Sequence, residues 1–157
     1  MLSERARRDL EAAYREWGAD MWRAVFAYSG GVAEVADEAV AEAFAQAAAR
    51  LESVRDLRPW LFTAAFRIAA GELQRRRRAA PFVDTGTVAL DGSDVELLDL
   101  VGRLPPRRRA AFALREVLGF TTRETAELLG ASEVAIRVRL HAARRRLRSQ
   151  LNEEEHA

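Results

Sequence analysis

The segment Thr121–Leu151, TTRETAELLGASEVAIRVRLHAARRRLRSQL, has the pattern of a helix-turn-helix that continues into an arginine-rich helix. Thr121 and Glu124, three residues apart, form a capping box that predicts the start of a short helix. Gly130 gives the backbone the freedom that a tight turn requires, and Ser132 is the expected N-cap of a second helix. Two capped helices across a glycine turn are typical of proteins that insert the second helix into the major groove of DNA.

The second helix carries an apolar stripe and a basic remainder. Its apolar residues recur at steps of three and four, which places them on one side of a helix at about 100° per residue. They are Ile136, Leu140, Ala143, Leu147 and Leu151. Arginine and histidine occupy the other sides, as in a helix that contacts phosphates and bases. The arginines alone would also suit the solvated face of a bundle helix, but the two caps and the turn favour DNA binding.

Composition and charge limit the class of protein. The chain has 157 residues, 49% of them hydrophobic, which suffices for one ordinary domain or two small ones. All 25 basic residues are arginine, against 24 acidic residues. The basic blocks are Arg75–Arg78, Arg107–Arg109 and Arg144–Arg146, whereas Asp84–Asp99 and Glu153–Glu155 are acidic. This separation favours a nucleic-acid face and a second face for another partner.

The residue inventory gives no sign of catalysis. The chain has no cysteine, so it lacks a thiolate metal site and a cysteine nucleophile. Its two histidines, His141 and His156, lie near no carboxylate cluster, and there is no glycine-rich phosphate loop. We therefore predict no catalytic residues, no metal and no cofactor. The charged N-terminus and the lack of a long apolar run predict a cytoplasmic protein without a signal peptide or membrane insertion.

Hydrophobic periodicity predicts an all-α protein. Apolar residues from Leu10 to Tyr28 recur at helical steps, Ser29–Gly31 interrupt them, and two further helices follow, the third with Pro59 in its first turn. Residues 79–92 have no sustained period and are expected to form a linker. The predicted organisation is two small helical domains, 1–78 and 93–151, joined by the linker 79–92 and followed by an acidic tail, 152–157.

Four motifs in this order resemble the extracytoplasmic-function (ECF) sigma factors of bacterial RNA polymerase. They are ADEAVAEAF at Ala36–Phe44, RPWLFTAAFRIAAGELQRRRR at Arg58–Arg78, LPPRRRAAFALREVLGFTTRETAELLGAS at Leu104–Ser132, and IRVRLHAARRRL at Ile136–Leu147. The resemblance implies a sigma region 2-like helical bundle and a sigma region 4-like helix-turn-helix domain. It also implies an alternative sigma factor whose partners are core RNA polymerase and promoter DNA, with an anti-sigma factor as a further candidate.

The resemblance assigns three groups of site residues. Those that match the polymerase-binding motif are Asp37, Glu38, Glu42 and Phe44. Those at the place where the family opens the −10 element are Ser53, Val54, Arg55, Asp56, Arg58, Arg67, Arg75 and Arg76; the loop Glu52–Arg58 carries most of them, and a basic strand-tracking surface would offset the cost of unstacking DNA. Those at the −35 element are Ser132, Glu133, Arg137, Arg139, His141 and Arg144.

The sequence also departs from the family pattern. Ala135, Val138 and Ala142 stand where the family usually has polar residues that face DNA. Two alternatives therefore remain open: a stand-alone helix-turn-helix regulator that binds operator DNA, and a sigma mimic that binds polymerase with weakened DNA recognition. The acidic motif Ala36–Phe44 and the helix that contains Trp60 argue against the regulator.

Overall fold

The computed structural model describes residues 1–79 and 92–155, with the side chains of residues 92–95 and 154 outside the description. Within these ranges the chain forms seven α-helices, one 3-10 turn and one π-helical turn, and no strand. The all-α prediction is confirmed. In the described part of the chain, no helix is both long and apolar enough to cross a membrane.

The N-terminal block consists of α1 (Glu4–Tyr28), α2 (Ala33–Arg50) and α3 (Leu57–Ala79). Ser3 is the N-cap of α1: its hydroxyl accepts a hydrogen bond from the Ala6 amide at 3.1 Å. Helix α2 buries mostly small residues, including Ala36, Ala39, Ala43 and Ala47, so α1 and α3 can pack closely against it.

Some predicted boundaries differ from the structure. A 3-10 turn, Leu51–Ser53, occupies the start of the predicted loop Glu52–Arg58, and α3 begins at Leu57, which puts Arg58 inside the helix. Most of the predicted linker, residues 80–91, lies outside the described residues, and its two end residues belong to helices. The last helix continues to Glu155, so residues 152–155 of the predicted acidic tail are helical.

The C-terminal block consists of α4 (Gly92–Gly102), α5 (Pro106–Phe112), the π-helical turn Ala113–Val117, α6 (Thr122–Leu129) and α7 (Glu133–Glu155). Both hydrogen bonds of the Thr121 capping box are present, and Gly130 has the left-handed φ of 61°. The predicted stripe of α7 is buried from Ile136 to Leu147, but the prediction is wrong for its last residue, Leu151, which is 38% exposed. The helix-turn-helix therefore forms as the sequence indicates.

The two blocks pack against each other. Ala110, Leu114 and Leu128 of the C-terminal block share one buried cluster with the core of the N-terminal block. The Thr63 hydroxyl donates a hydrogen bond to the Leu128 carbonyl oxygen at 2.9 Å, which joins α3 to the end of α6. The helix-turn-helix is thus held against the N-terminal block.

Arg109 forms the most buried polar link between the blocks, with 5% of its surface exposed. Its guanidinium donates to the Leu104 carbonyl oxygen at 3.0 and 3.1 Å and to the Tyr28 carbonyl oxygen at 3.3 Å. The guanidinium carbon also lies 4.7 Å from the centre of the Tyr28 ring. One side chain of α5 therefore holds the C-terminal end of α1.

A contact between two glycines brings the end of α4 against the turn after α1. A Cβ atom added to Gly102 would lie 2.9 Å from the Gly30 Cα and 3.4 Å from its nitrogen. Gly30 itself has a φ of 78°, a conformation that other residues rarely adopt. The approach of the two blocks at this point depends on the absence of a side chain at residue 102.

We expect Gly102→Ala to push the blocks apart without unfolding their helices. Overpacking a backbone contact costs about 1–3 kcal/mol, and we expect small-angle scattering to report a larger radius of gyration. Gly71→Ala is the matched control, because no atom outside the local backbone of α3 lies within 4 Å of a Cβ added there. This exposed helical glycine should gain about 0.5–1 kcal/mol on substitution. An unchanged radius for Gly102→Ala would contradict the role of the glycine contact.

Candidate nucleic-acid and polymerase surfaces

Most residues predicted for the −10 element gather at one cleft of about 410 Å³. The turn after α2 and the face of α3 bring together Ser53, Val54, Arg55, Asp56 and Arg67. The opposite wall comes from α6 and its turn, Glu127, Leu128 and Gly130. The cleft is therefore a boundary between the two blocks, which sequence periodicity alone did not indicate.

The other three predicted −10 residues have partners away from that cleft. The Arg58 guanidinium lies 4.9 Å from the centre of the Phe120 ring and 5.9 Å from that of Trp17, and its Nε atom is buried with no hydrogen-bond partner. Arg58 therefore bridges the blocks.

Arg75 and Arg76 sit in ion pairs near the end of α3. Arg75 pairs with Glu72 at 2.7 Å, and Arg76 pairs with Glu72 at 3.3 Å and with Glu34 of α2 at 3.1 Å. The hydrogen bond from Arg75, joined by those from Arg76, lowers the pKa of the Glu72 carboxyl. These two cations are thus partly neutralised within the protein.

The start of α7 presents several of the residues predicted for the −35 element. The Ser132 hydroxyl accepts a hydrogen bond from the Ala135 amide at 3.1 Å, which confirms the predicted cap. Glu133, Arg137 and His141 are exposed, and Arg137 and Glu133 form a solvent-exposed pair at 3.8 Å. Such a pair contributes little to stability and leaves Arg137 free to move.

Arg139 and Arg144 are less accessible. Arg139 is half-buried in a second cleft, of about 740 Å³, between α7 and the N-terminal block, and Arg67 and Arg107 line the same cleft. Arg144 pairs with Glu116 of the π-helical turn, with its Nε 3.0 Å from the Glu116 Oε1. A DNA contact by Arg144 would require this pair to break.

The acidic motif of α2 divides into outward and structural residues. Glu38 and Glu42 are exposed. Asp37 accepts a hydrogen bond from the Trp22 Nε1 at 2.7 Å, and Phe44 packs edge-on against Tyr14 with ring centres 5.3 Å apart. Glu38 and Glu42 are therefore available to a partner, although Glu42 also accepts a hydrogen bond from Gln46 at 3.1 Å. Phe44 and Asp37 hold α2 on α1, and Asp37 is exposed as well.

Sequence reasoning missed the residues that join the blocks. It assigned Arg107–Arg109 to a nucleic-acid face, and this interpretation is wrong for Arg109, which is buried. Burial lowers the pKa of the Arg109 guanidinium and raises that of the Tyr28 hydroxyl beneath it. The available signal was helical phase, since Arg109, Phe112 and Ala113 lie at steps of three and four and share the buried face of the α5 segment.

Comparison with known proteins finds sigma factors that are similar to this chain. Residues 94–147 match the family model described as Sigma-70, region 4. Over 153 aligned residues the chain is 29% identical to the ECF RNA polymerase sigma factor BldN of Streptomyces coelicolor, an alignment that covers 85% of this chain. The chain spans only 57% of the length of that curated relative.

Solved structures share the fold. The structure of CnrH in complex with the cytosolic domain of CnrY matches with a TM-score of 0.71 and 23% identity over 94% of this chain and 90% of that one. The sigma factor RpoE in complex with the anti-sigma factor NepR from Bartonella quintana matches with a TM-score of 0.68 and 20% identity over 92% and 98%. The resemblance to ECF sigma factors that the motifs predicted is confirmed.

We expect Thr121→Ala to weaken the helix-turn-helix by about 1 kcal/mol, the usual cost of losing an N-cap. Thr122→Ala, one residue further along in the first turn of α6, is the matched control and should change stability much less. Urea unfolding at neutral pH measures both variants. Equal midpoints for the two would contradict a stabilising role for the cap.

The same capping box predicts a pH dependence. Hydrogen bonds from the Thr121 backbone amide, and then its side chain, lower the pKa of the Glu124 carboxyl. A lowered pKa in the folded state means that the contribution of Glu124 is complete above its unfolded pKa and is lost as pH falls through the folded value. The stability difference between the wild type and Glu124→Gln should therefore shrink on acidification.

Proposed function

We propose that this chain, which resembles the ECF sigma factors in its motifs, its fold and its region 4, is an alternative sigma factor that binds core RNA polymerase and directs it to promoters. The observation that carries this proposal is a capped helix-turn-helix within residues 94–147 whose second helix exposes the start of a basic face. A helix in this setting can enter the major groove by its N-terminal turns. The protein would act in the cytoplasm, with no catalysis, metal or cofactor of its own.

For the polymerase contact, we propose that Glu38 and Glu42 of α2 meet a basic surface of the core enzyme. Their exposure and their shared acidic face support this role. Asp37 and Phe44 would act through α2, since the contacts with Trp22 and Tyr14 hold this helix in place.

For the −10 element, we propose that the cleft lined by Ser53, Val54, Arg55, Asp56 and Arg67 receives an unstacked base. Its volume is in the range of small-ligand pockets, so it suits a nucleotide and is far too small for a duplex. Arg55 and Arg67 supply positive charge for the released strand. Arg58, which lies between the blocks, would contribute only after they separate, and Arg75 and Arg76 would first have to exchange their carboxylate partners for phosphates.

For the −35 element, we propose that Arg137 and His141 contact the major groove, with Ser132 and Glu133 at the start of the helix. Arg139 would join them when the cleft opens, and Arg144 when it leaves Glu116. An anti-sigma factor is a further proposed partner, because the two solved relatives are in complex with other proteins, one of them described as an anti-sigma factor.

The packing of the blocks also suggests a requirement for opening. The −10 cleft has α6 as its far wall, and Arg139 of α7 faces the N-terminal block. A promoter duplex cannot enter spaces of this size, so we infer that the described arrangement is a closed form. Promoter binding would then require the blocks to move apart.

Reversing charge at Glu38 and Glu42 should weaken binding to core polymerase about tenfold or more, a change of about 1.4 kcal/mol. Each substitution should alter the free energy of unfolding by about 0.5 kcal/mol or less, because both side chains are exposed. Titration of labelled protein with core polymerase measures the affinity, and Glu16→Lys on α1 serves as an exposed control. Normal affinity in a correctly folded Glu38→Lys, Glu42→Lys protein would remove this contact from the proposal.

If the closed form limits function, Gly102→Ala should assemble with core polymerase and promoter faster than the wild type. Run-off transcription from a selected promoter measures the rate, and Gly71→Ala controls for the added methyl group.

A chain that binds polymerase but never supports transcription would instead be a sigma mimic. A chain that binds DNA without polymerase would be a stand-alone regulator.

A further inference from the structure

Two valines stand at the centre of the outward face of α7. Val134 is 65% exposed and Val138 is 63% exposed, although both lie in a helix whose Ile136 and Leu140 are fully or nearly fully buried. At about 100° per residue, the two valines point away from the buried stripe by about 160°. They therefore contribute neither to the core of the C-terminal block nor to its contact with the N-terminal block.

These valines also do little for the helix itself. Valine is a weaker helix former than alanine or arginine, which dominate the rest of α7, because a branched Cβ restricts the side chain against the preceding turn. The pair is flanked by groups suited to nucleic acid, with Arg137 and His141 exposed on one side and Arg145 exposed one turn further on. An apolar pair beside exposed arginines and a histidine, with Glu133 as an acidic neighbour, lies here at the start of the second helix of a helix-turn-helix. This is the composition and the place of a base-reading surface.

Of the groups in the major groove, the C5-methyl of thymine is the one that an apolar side chain recognises. Residues four apart on a helix are separated by about 6 Å along its axis, and base pairs follow each other at about 3.4 Å. A helix lying along the groove would thus bring Val134 and Val138 over positions about two base-pair steps apart.

We propose that Val134 and Val138 read thymine methyl groups in the −35 element, next to a base or phosphate held by Arg137. This inference rests on the proposed function, since it requires α7 to enter the groove of promoter DNA. The recognition helix would then select a thymine-containing step by apolar contact. Val138, which replaces a polar residue of the family pattern, would take part in recognition rather than weaken it.

The test removes one methyl group at a time. Holoenzyme reconstituted from the full chain and core RNA polymerase first selects duplexes from a randomised library, and an Arg137→Ala protein locates the part of the site that α7 contacts. Each thymine there is then replaced by deoxyuridine, which lacks only the C5-methyl. We expect one or two of these replacements to weaken wild-type binding about fourfold each, the value for burying one methyl-sized group.

The same replacements should have a clearly smaller effect in the matching variant, Val134→Ala or Val138→Ala, because the shorter side chain keeps only its Cβ to meet the thymine methyl. These exposed substitutions favour the helix, so circular dichroism should show an unchanged or slightly more stable fold. Val117→Ala is the control, because Val117 is an exposed valine in the π-helical turn. It should keep the full sensitivity to deoxyuridine.

The outcomes distinguish a failure of the thymine-methyl contact from a failure of the proposed sigma function. A holoenzyme that selects a site but is insensitive to every deoxyuridine replacement, or equally sensitive with and without the valines, overturns the methyl reading and leaves the sigma function standing. A chain that forms no holoenzyme overturns the proposed function and the inference with it. Loss of polymerase binding on substitution of the valines would instead identify the pair as a protein contact and overturn the methyl reading.

Discussion

The contact of Arg109 with the end of α1 is the constraint on which the arrangement of the two blocks depends. A guanidinium removed from water needs its donors satisfied, and here the carbonyl oxygens of Leu104 and Tyr28 accept them. Leu104 belongs to the C-terminal block and Tyr28 to the N-terminal block. If the blocks shifted while Arg109 stayed buried, a donor would lose its acceptor at a cost of about 1–3 kcal/mol or more.

Several other features depend on the position that this contact sets. With the end of α1 held against α5, the turn at Gly30 meets Gly102, and the end of α6 comes within hydrogen-bonding distance of Thr63 on α3. Helix α6 then forms the far wall of the cleft that collects the residues predicted for the −10 element. The start of α7 remains exposed on its outer side, which leaves Val134 and Arg137 facing solvent.

Local structure was predictable from the sequence because its signals are local. The capping box at Thr121, the turn at Gly130 and the stripe of α7 depend on residues within one or two turns of each other. The first two are present, and the stripe is present as far as Leu147. The grouping of Ser53–Asp56 with Arg67 followed from family motifs, and the structure brings these residues to one cleft.

Contacts between distant residues were not predictable in the same way. Arginine is usually exposed, so composition and charge alone do not separate the buried Arg109 from its exposed neighbour Arg107. Helical phase places Arg109 on the buried face of α5, but it does not identify Tyr28 as the partner. The stacking of Arg58 on Phe120 joins residues from different blocks, and periodicity carries no information about such pairs. The partners of Arg76 and Arg144, on α2 and the π-helical turn, were hidden for the same reason.

The link between the blocks is made by an arginine, and this limits the conditions that can break the link. Burial lowers the pKa of Arg109, yet a guanidinium stays protonated in proteins, so the link does not titrate as a histidine or a buried carboxyl would. A change of pH in the ordinary range therefore leaves the charge of this link in place. If the described arrangement is the closed form, a partner shifts the balance between closed and open only by as much as it binds one arrangement better than the other. The fraction of open molecules would then follow the amount of free partner in the cell.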